Sequence, residues 1–258
     1  MGPADSFVDP AGGGASLEPG LAAGLRSDGY VRLDAAATRS LLAPASTHWA
    51  DFADGWDDLG RDRFMADGGR YRRRRHAVFH VGQGDVIRQP HQPHYQSRDY
   101  NPLNGGVERW FEPILETEAN RSVLQRVFET CDRVFSAAEA APAAPAWRVE
   151  AHQFRVETAQ GRLGRPTPEG RHRDGVDWVF VMLVRRRNVL EGVTEIGDAD
   201  GRSLGRFTLA EPGDAVLLND RRVMHGVTPI QPVDPGEPAF RDVLVVTFAA
   251  RRAPSGSA

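Results

Sequence analysis

The second half of the chain alternates between short apolar runs and turn-forming residues. Runs rich in Val, Leu, Phe and Trp are separated by turns such as Pro212-Gly213-Asp214 and Pro235-Gly236-Glu237, a pattern typical of short β-strands. Many short strands at this spacing predict a mostly β (α+β) fold with a double-stranded β-helix core, the cupin-like jelly roll. The predicted strands are residues 147–156, 178–184, 192–196, 206–209, 215–218, 223–228 and 243–248.

The first half contains helical patterns that would support this β core. Residues 17–42 predict a helix, a turn, a strand and a second helix, with Leu21 and Leu25 on one helical face. Residues 51–106 are polar, aromatic and rich in Gly, His and Pro, which favours strands and long loops. Two further helices are predicted at 106–117 and 122–139 from the spacing of their apolar residues.

These patterns indicate one domain without an internal boundary or repeat. We expect a single jelly-roll domain over residues 17–250, with helical support at about 17–50 and 106–139. The Gly/Ala/Pro-rich residues 1–16 are expected to be a disordered tail, and 251–258 a flexible one.

Composition and charge narrow the possible functions. All 32 cationic side chains other than histidine are arginine, which excludes Schiff-base lysine chemistry and a phosphate-loop lysine. The net charge of -3 argues against broad nucleic-acid binding. The only cysteine, Cys131, leaves any metal site to histidines and carboxylates. Because the sequence has no stretch of membrane-spanning length and no secretion-signal pattern, we expect a cytoplasmic protein without membrane partners.

The segment 170–175 contains a His-x-Asp motif. In an extended chain, residues two apart point to the same face, so His172 and Asp174 would converge from one strand. A third ligand is expected on a strand that returns alongside, and His225 fits because it follows a Pro-Gly-Asp turn and an apolar strand. Two histidines and one carboxylate leave the opposite coordination positions open, as in non-haem Fe(II) oxygenases. His172, Asp174 and His225 are therefore the predicted metal ligands and catalytic residues.

Arg241 opens the last apolar strand of the chain. A keto acid with two carboxylates that chelates iron at one end leaves its second carboxylate pointing into the barrel. A guanidinium pairs with such a carboxylate through two parallel hydrogen bonds. Because a contact of this kind is worth about 1.5–3 kcal/mol, it would discriminate against keto acids without the second carboxylate. We predict that Arg241 anchors such a co-substrate.

Longer stretches around these residues carry a family resemblance. They are residues 166–181, 219–230 and 241–248, and upstream also 67–72 and 100–106. Together they resemble the bacterial 2-oxoglutarate/Fe(II)-dependent dioxygenase family that contains L-isoleucine 4-hydroxylase, and the similarity extends over nearly all of 60–248.

The resemblance implies cofactors and an activity. It implies Fe(II), 2-oxoglutarate and O₂, with the three predicted ligands on the metal and Arg241 on the co-substrate. It also implies hydroxylation of the side chain of a free aliphatic or thioether L-amino acid, with release of succinate and CO₂. Many related enzymes have Ser or Thr two residues after the anchoring arginine, whereas this chain has Val243. A helper hydroxyl would then come from Thr228 or Thr247.

A free amino acid needs a cation for its carboxylate and an acceptor for its ammonium group. Arg70, Arg72 and Arg74 alternate along a predicted strand, so they share one face. One or two of them would clamp the carboxylate, while a solvated basic face is the plain alternative. We assign Arg70 and Arg72 to the substrate pocket.

The predicted strand 149–156 has polar residues on both faces, which is unusual for a core strand. Gln153 and Arg155 share one face, and Glu150 and His152 share the other. The alternation does not choose between the faces; the assignment made from the sequence is Gln153 and Arg155 as substrate residues.

Three alternatives to a free amino acid hydroxylase stay open at this point. A cupin-type metalloenzyme without 2-oxoglutarate would have no need of Arg241. A dioxygenase acting on a tethered or peptidyl amino acid would use the same metal site. A non-catalytic β-roll is disfavoured because a binding module has no reason to converge three metal ligands.

Overall fold

The computed structural model describes residues 17–139 and 146–251, so the predicted tail at 1–16 and most of that at 251–258 lie outside the described residues. The helices are α1 (Leu17–Ser27), α2 (Ala35–Leu41), α3 (Trp49–Asp54) and α4 (Glu118–Glu139), with a 3-10 helix at Ala43–His48. The strands are β1 (Tyr30–Leu33), β2 (Arg72–Gly82), β3 (Asp85–Arg88), β4 (Trp147–Thr158), β5 (Trp178–Arg187), β6 (Val189–Glu191), β7 (Val193–Gly197), β8 (Ser203–Thr208), β9 (Ala215–Asn219), β10 (Met224–Val227), β11 (Ile230–Pro232) and β12 (Ala239–Ala250).

The strands form one large sheet and two small ones. The large sheet has seven strands in the order β1-β9-β5-β12-β4-β2-β3. The small sheets are β10-β7-β8 and β11-β6, and all named strand pairs are antiparallel. The predicted mostly β fold with a jelly-roll core is confirmed.

One face of the large sheet packs against the helices. Helix α4 turns its apolar stripe toward this face, burying Val127, Phe128 and Phe135 completely. Every second side chain of the sheet points toward the helices. Trp147 and Phe248 are examples, and their rings pack in an edge-on contact. This side of the sheet is the main hydrophobic core. Within the described ranges, no helix has the length and apolar character that a bilayer span requires.

The other face of the large sheet lines a cavity. Because β4 and β12 pair in continuous register, their inward side chains form rows across the sheet. The paired rows are Arg241–Val156, Val243–Phe154, Val245–His152 and Thr247–Glu150.

Two predictions about local structure are wrong. Residues 106–117 form no helix: Arg109 pairs with His94, and Pro113 bridges His76. Arg109 and Phe111 are buried while the residues next to them are exposed, which is the alternation of an extended chain and not of a helix. A proline, which lacks a backbone N–H, is compatible with an isolated bridge but not with the interior of a helix. The His-x-Asp segment is a loop rather than a strand, held to β10 by one isolated bridge between His172 and His225.

Candidate active site

A cavity of about 420 Å³ opens on the inner face of the large sheet. This volume lies within the range of about 300–1,000 Å³ usual for small-molecule pockets. Strands β4 and β12 form its floor, and the loops around Gln96 and Glu169 contribute to its walls. All three predicted metal ligands and Arg241 line it.

The three predicted ligands converge although the segment is not a strand. Asp174 Oδ1 lies 3.6 Å from His172 Nε2, and Asp174 Oδ2 lies 3.6 Å from His225 Nε2. The bridge between the two histidines, with both backbone N···O distances at 2.9 Å, brings the loop alongside β10. His172 Nδ1 lies 3.1 Å from the Gly170 carbonyl, and donation there would leave Nε2, the nitrogen beside Asp174, as the one that binds a metal ion.

Asp220 fixes the backbone of this loop. Its carboxylate accepts hydrogen bonds from the amides of Asp174, Gly175 and Val176 at 2.9, 2.8 and 3.1 Å. Gly175 has φ +80°, and a Cβ there would lie 2.5 Å from the Tyr100 ring, so only glycine fits this turn. The position of the Asp174 carboxylate is therefore set by buried contacts behind it.

The charges in this group are strongly coupled. Burial favours the neutral form of His172, but the adjacent Asp174 outweighs it and raises the His172 pKa to about 9. Burial, together with the charge of His172, lowers the pKa of His225 to about 4. Burial alone would raise the pKa of Asp174, yet the two histidines hold it well below its usual range. Asp174 is thus an ionised carboxylate between two imidazoles.

Arg241 is a buried guanidinium without an acid partner. Its side chain is only 2% exposed, and Nε and Nη2 have no hydrogen-bond partner among the described residues. Burial, reinforced by the nearby Arg186, lowers its pKa to about 10. Because a buried unpaired cation is costly, its presence on the cavity wall indicates a site for an anion.

A second group of potential ligands lies beside the same cavity, and all of its members but His76 line the cavity. This Glu150 cluster consists of His76, His94, Glu150 and His152. Glu150 Oε2 is 2.7 Å from His76 Nε2 and 2.7 Å from His94 Nδ1. Burial lowers the pKa of all three histidines, for His94 to about 4, while the histidine contacts outweigh burial and lower the pKa of Glu150.

Distances separate the two groups as metal sites. Ligand atoms about 2.1 Å from one ion, at about 90–110° to each other, lie about 3.0–3.5 Å apart. The 3.6 Å spacings around Asp174 are close to this range, whereas the 2.7 Å spacings in the Glu150 cluster are those of hydrogen bonds. In addition, Arg74 Nη2 donates to His152 Nδ1 over 2.8 Å. The imidazole proton of His152 then lies on Nε2, so neither ring nitrogen has a lone pair free to bind a metal ion. The geometry around Asp174 is the one that fits a metal ion.

The substrate residues assigned from the sequence are only partly at the cavity. Arg72 lines it, as does Arg74, but Arg70 is exposed and outside it. Gln153 and Arg155 are on the wrong face: Gln153 bonds to Asn120, and Arg155 forms ion pairs with Asp57 and Asp242. The helices pack on that face, so the opposite side chains, Glu150 and His152, face the cavity.

Thr228 and Thr247, the two hydroxyl residues considered for co-substrate binding, lie in different places. Thr228 accepts a hydrogen bond from the Val193 amide at 2.9 Å and does not line the cavity, so its assignment to the co-substrate is wrong. Thr247 lies on the cavity face of β12, like Arg241.

Sequence reasoning missed three residues that shape this site. Asp220 holds the Asp174 loop, Gln96 donates to the Asp174 carbonyl at 3.1 Å, and Arg109 is buried in the cavity wall. No sequence signal pointed to Arg109, because its segment was predicted as a helix from the spacing of its apolar residues. Asp220 and Gln96 act across long sequence separations and belong to no motif.

A jelly roll whose cavity contains two histidines, one carboxylate and open space beside them defines the class of non-haem iron oxygenases. A sequence model described as 2OG-Fe dioxygenase matches residues 53–247. The chain belongs to the 2OG-Fe dioxygenase family, and it is an enzyme of the kind that uses Fe(II), 2-oxoglutarate and O₂. This membership confirms the predicted resemblance and argues against a cupin enzyme without 2-oxoglutarate and against a non-catalytic β-roll.

Relatives and solved structures agree with this family. A bsmA homologue from Methylobium petroleophilum PM1 is 36% identical with a TM-score of 0.84, covering 98% of this chain and all of that one. The 3(1)-hydroxy-L-isoleucine 4-dioxygenase of Pantoea ananatis is 23% identical over 230 residues, 87% of this chain and 93% of that protein. The L-isoleucine-4-hydroxylase of Bacillus thuringiensis is 25% identical over 173 residues, 67% of this chain and 71% of that protein.

Proposed function

We propose that this enzyme hydroxylates the side chain of a free aliphatic or thioether L-amino acid. In this proposal His172, Asp174 and His225 hold Fe(II), and Arg241 holds the distal carboxylate of 2-oxoglutarate. The observation that carries it is that one cavity contains both ligand atoms at metal-compatible spacing and a buried guanidinium that has no acid partner among the described residues.

The protein's own groups have separate tasks. Iron with 2-oxoglutarate supplies oxidative decarboxylation, which puts one oxygen atom of O₂ into succinate and the other into a C–H bond. Asp174 would provide a negative charge to Fe(II), and Asp220 holds the loop that presents the Asp174 carboxylate. Arg241 orients the co-substrate by a paired contact at its far end. Val181 of β5 adds an apolar side chain to the cavity wall, which helps to exclude water from that side.

Two lines of support point to an amino acid substrate. The relatives from Pantoea and Bacillus are named for isoleucine oxidation. The cavity also joins both charge signs with an apolar wall: Glu150 is an anion that an ammonium group can pair with, and Phe154, Val181 and Val245 are apolar. A zwitterion with an aliphatic side chain matches this combination.

A screen of the free L-amino acids tests the proposal. Iron-loaded enzyme with 2-oxoglutarate is assayed for succinate and for product with one added oxygen atom by mass spectrometry. We expect isoleucine, leucine or methionine to stimulate succinate release with matching product. If no free L-amino acid does so while the protein binds iron and 2-oxoglutarate, the proposed substrate class is wrong.

Blocked substrates test whether the amino acid is free or tethered. The best amino acid is compared with its N-acetyl derivative and its methyl ester. Because burying an unpaired charge is costly, a cavity that pairs both charges discriminates strongly against either blocked form. Equal or better turnover of blocked or peptide-bound forms would favour the tethered alternative.

A further inference from the structure

We propose that Arg109 binds the carboxylate of the primary substrate, so that the cavity receives two carboxylates on two separate guanidinium groups. The inference rests on the proposed function and adds to it the residue that recognises the acid group. Nothing in the sequence motifs singled out this position.

Arg109 and Arg241 share a property that distinguishes them from the other arginines of the cavity. Within the described ranges, neither has a carboxylate within 4.0 Å. The others have acid partners: Arg72 lies 2.7 Å from Asp62, Arg74 lies 3.9 Å from Asp62, and Arg148 contacts Glu150.

The guanidinium of Arg109 is poorly satisfied for a buried group. Its side chain is only 2% exposed, and Nε has no hydrogen-bond partner in the part of the chain that the structure describes. Its Nη2 makes a long polar contact, 3.5 Å to Gln96 Oε1. Burial, then the charge of Arg72, lowers its pKa. Asp62, Glu169 and Glu150 act on it only from beyond ion-pair distance, so an anion bound at this point would offset the cost of burying the cation.

The position of Arg109 relative to the metal ligands suits a small substrate. Arg109 pairs with His94 through backbone hydrogen bonds of 2.9 and 3.0 Å, which places both side chains at the cavity. Gln96 lies between Arg109 and the ligand loop: its Oε1 is near Arg109, and its Nε2 is 3.1 Å from the Asp174 carbonyl oxygen and 3.5 Å from Oδ1. One amide group therefore separates Arg109 from Asp174. A carboxylate held by Arg109 leaves the rest of a small acid beside the proposed metal position.

A structural role is the competing explanation for Arg109. Its guanidinium lies 6.0 Å from the centre of the Phe111 ring, so it also braces the segment that follows His94. A brace would support every substrate equally. A carboxylate partner discriminates between an acid and the corresponding neutral amide, and this difference separates the two roles.

The test compares Arg109→Gln with wild type on two ligands, the best free amino acid and its primary carboxamide. Values of kcat/KM are measured at saturating 2-oxoglutarate, and binding is measured by calorimetry without O₂ on the iron-loaded protein with 2-oxoglutarate. We expect wild type to favour the acid, and Arg109→Gln to weaken acid binding about ten- to hundredfold with little change for the amide. The acid-to-amide ratio is kcat/KM for the amino acid divided by kcat/KM for its carboxamide. If this ratio is the same in Arg109→Gln as in wild type, the proposal is overturned.

Controls separate this inference from the proposed function. Arg75→Gln alters a buried arginine on the opposite face of β2, paired with Asp58, and should leave the acid-to-amide ratio unchanged.

If Arg109→Gln does not fold, Arg109→Lys serves in its place, because a single ammonium replaces the planar fork and should also lower the ratio. A folded lysine variant with the wild-type ratio refutes the role of Arg109. Wild-type inactivity on every free amino acid instead refutes the proposed function.

Discussion

Asp220 Oδ1 lies 2.9 Å from the backbone amide of Asp174, so one buried carboxylate holds the chain that presents another. Two further amides of the same turn donate to Asp220 Oδ2. The ligand loop therefore owes its shape to a residue just after β9 as well as to the single bridge between His172 and His225. This support has a measurable consequence for metal binding.

Substitution Asp220→Asn should weaken Fe(II) binding by about 10–100-fold, the usual effect of losing support behind a ligand. An amide has one acceptor oxygen, so it cannot receive all three backbone N–H groups. Iron affinity is measured by titration under anaerobic conditions. Asp198→Asn is the matched control, because Asp198 accepts backbone N–H groups in an exposed loop. Equal iron affinity in both variants would show that the Asp220 contacts do not position Asp174.

Removal of any proposed ligand should abolish iron binding and turnover together. We expect His172→Ala, Asp174→Ala and His225→Ala each to lose nearly all activity, because a three-ligand site loses its geometry with any one of them. His152→Gln, in the Glu150 cluster, should retain iron. Metal content and succinate release are measured on the same preparations. Full iron content in Asp174→Ala, or loss of iron in His152→Gln alone, would assign the metal ion to the Glu150 cluster instead.

Arg241→Ala should raise the KM for 2-oxoglutarate about ten- to hundredfold, since a charge-assisted contact worth about 1.5–3 kcal/mol is lost. The KM for the amino acid should change much less. Arg241→Lys should rescue poorly because an ammonium cannot make the paired contact. Initial rates are measured with each substrate varied in turn. An unchanged response to 2-oxoglutarate would assign the anchor to another arginine.

Acidification should destabilise the metal-free protein between about pH 6.5 and pH 4. Burial lowers the pKa of His76, His94 and His152, for His94 to about 4. In this window the unfolded chain takes up protons that the folded protein does not, so the free energy of unfolding falls as pH falls, by up to about 1.4 kcal/mol per pH unit for each group. The raised pKa of His172 contributes stability that is lost only at higher pH, as pH rises toward about 9.

The unfolding temperature measured at a series of pH values tests this expectation. His94→Gln removes one of the three groups, so its unfolding temperature should depend less steeply on pH than that of wild type. The same slope in both proteins would mean that His94 is not held neutral by its surroundings.

The parts of the site that could be predicted are those encoded by short spacing or strand order. His172 and Asp174 lie two residues apart, and His225 and Arg241 belong to strands that the apolar pattern marks. The structure brings all four to one cavity, even though the His-x-Asp segment is a loop. Local pattern was sufficient to identify these residues, but the direction of Asp174 is set by contacts with Asp220 and β10 that are distant in sequence.

The wrong predictions arose where the direction of a side chain depends on what packs against each face of its strand. Strand β4 is polar on both faces, so alternation could not show that Gln153 faces the helix side and His152 the cavity. The helix predicted at 106–117 failed because the backbone of Arg109 pairs with His94, a contact that no local pattern displays. Tertiary pairing, and not propensity, decides both cases.

The paired rows of β4 and β12 also define how the enzyme can be altered. Along residues 148–156 and 241–249 every second residue contacts the cavity, while those between them belong to the core or make polar contacts on the helix side. Libraries confined to these cavity-facing positions, other than Glu150 and Arg241, would diversify what the cavity accepts while leaving the packing side intact. A single inserted or deleted residue in either strand would exchange the two sets of side chains, so directed evolution of this chain should accept replacements there and reject changes of length.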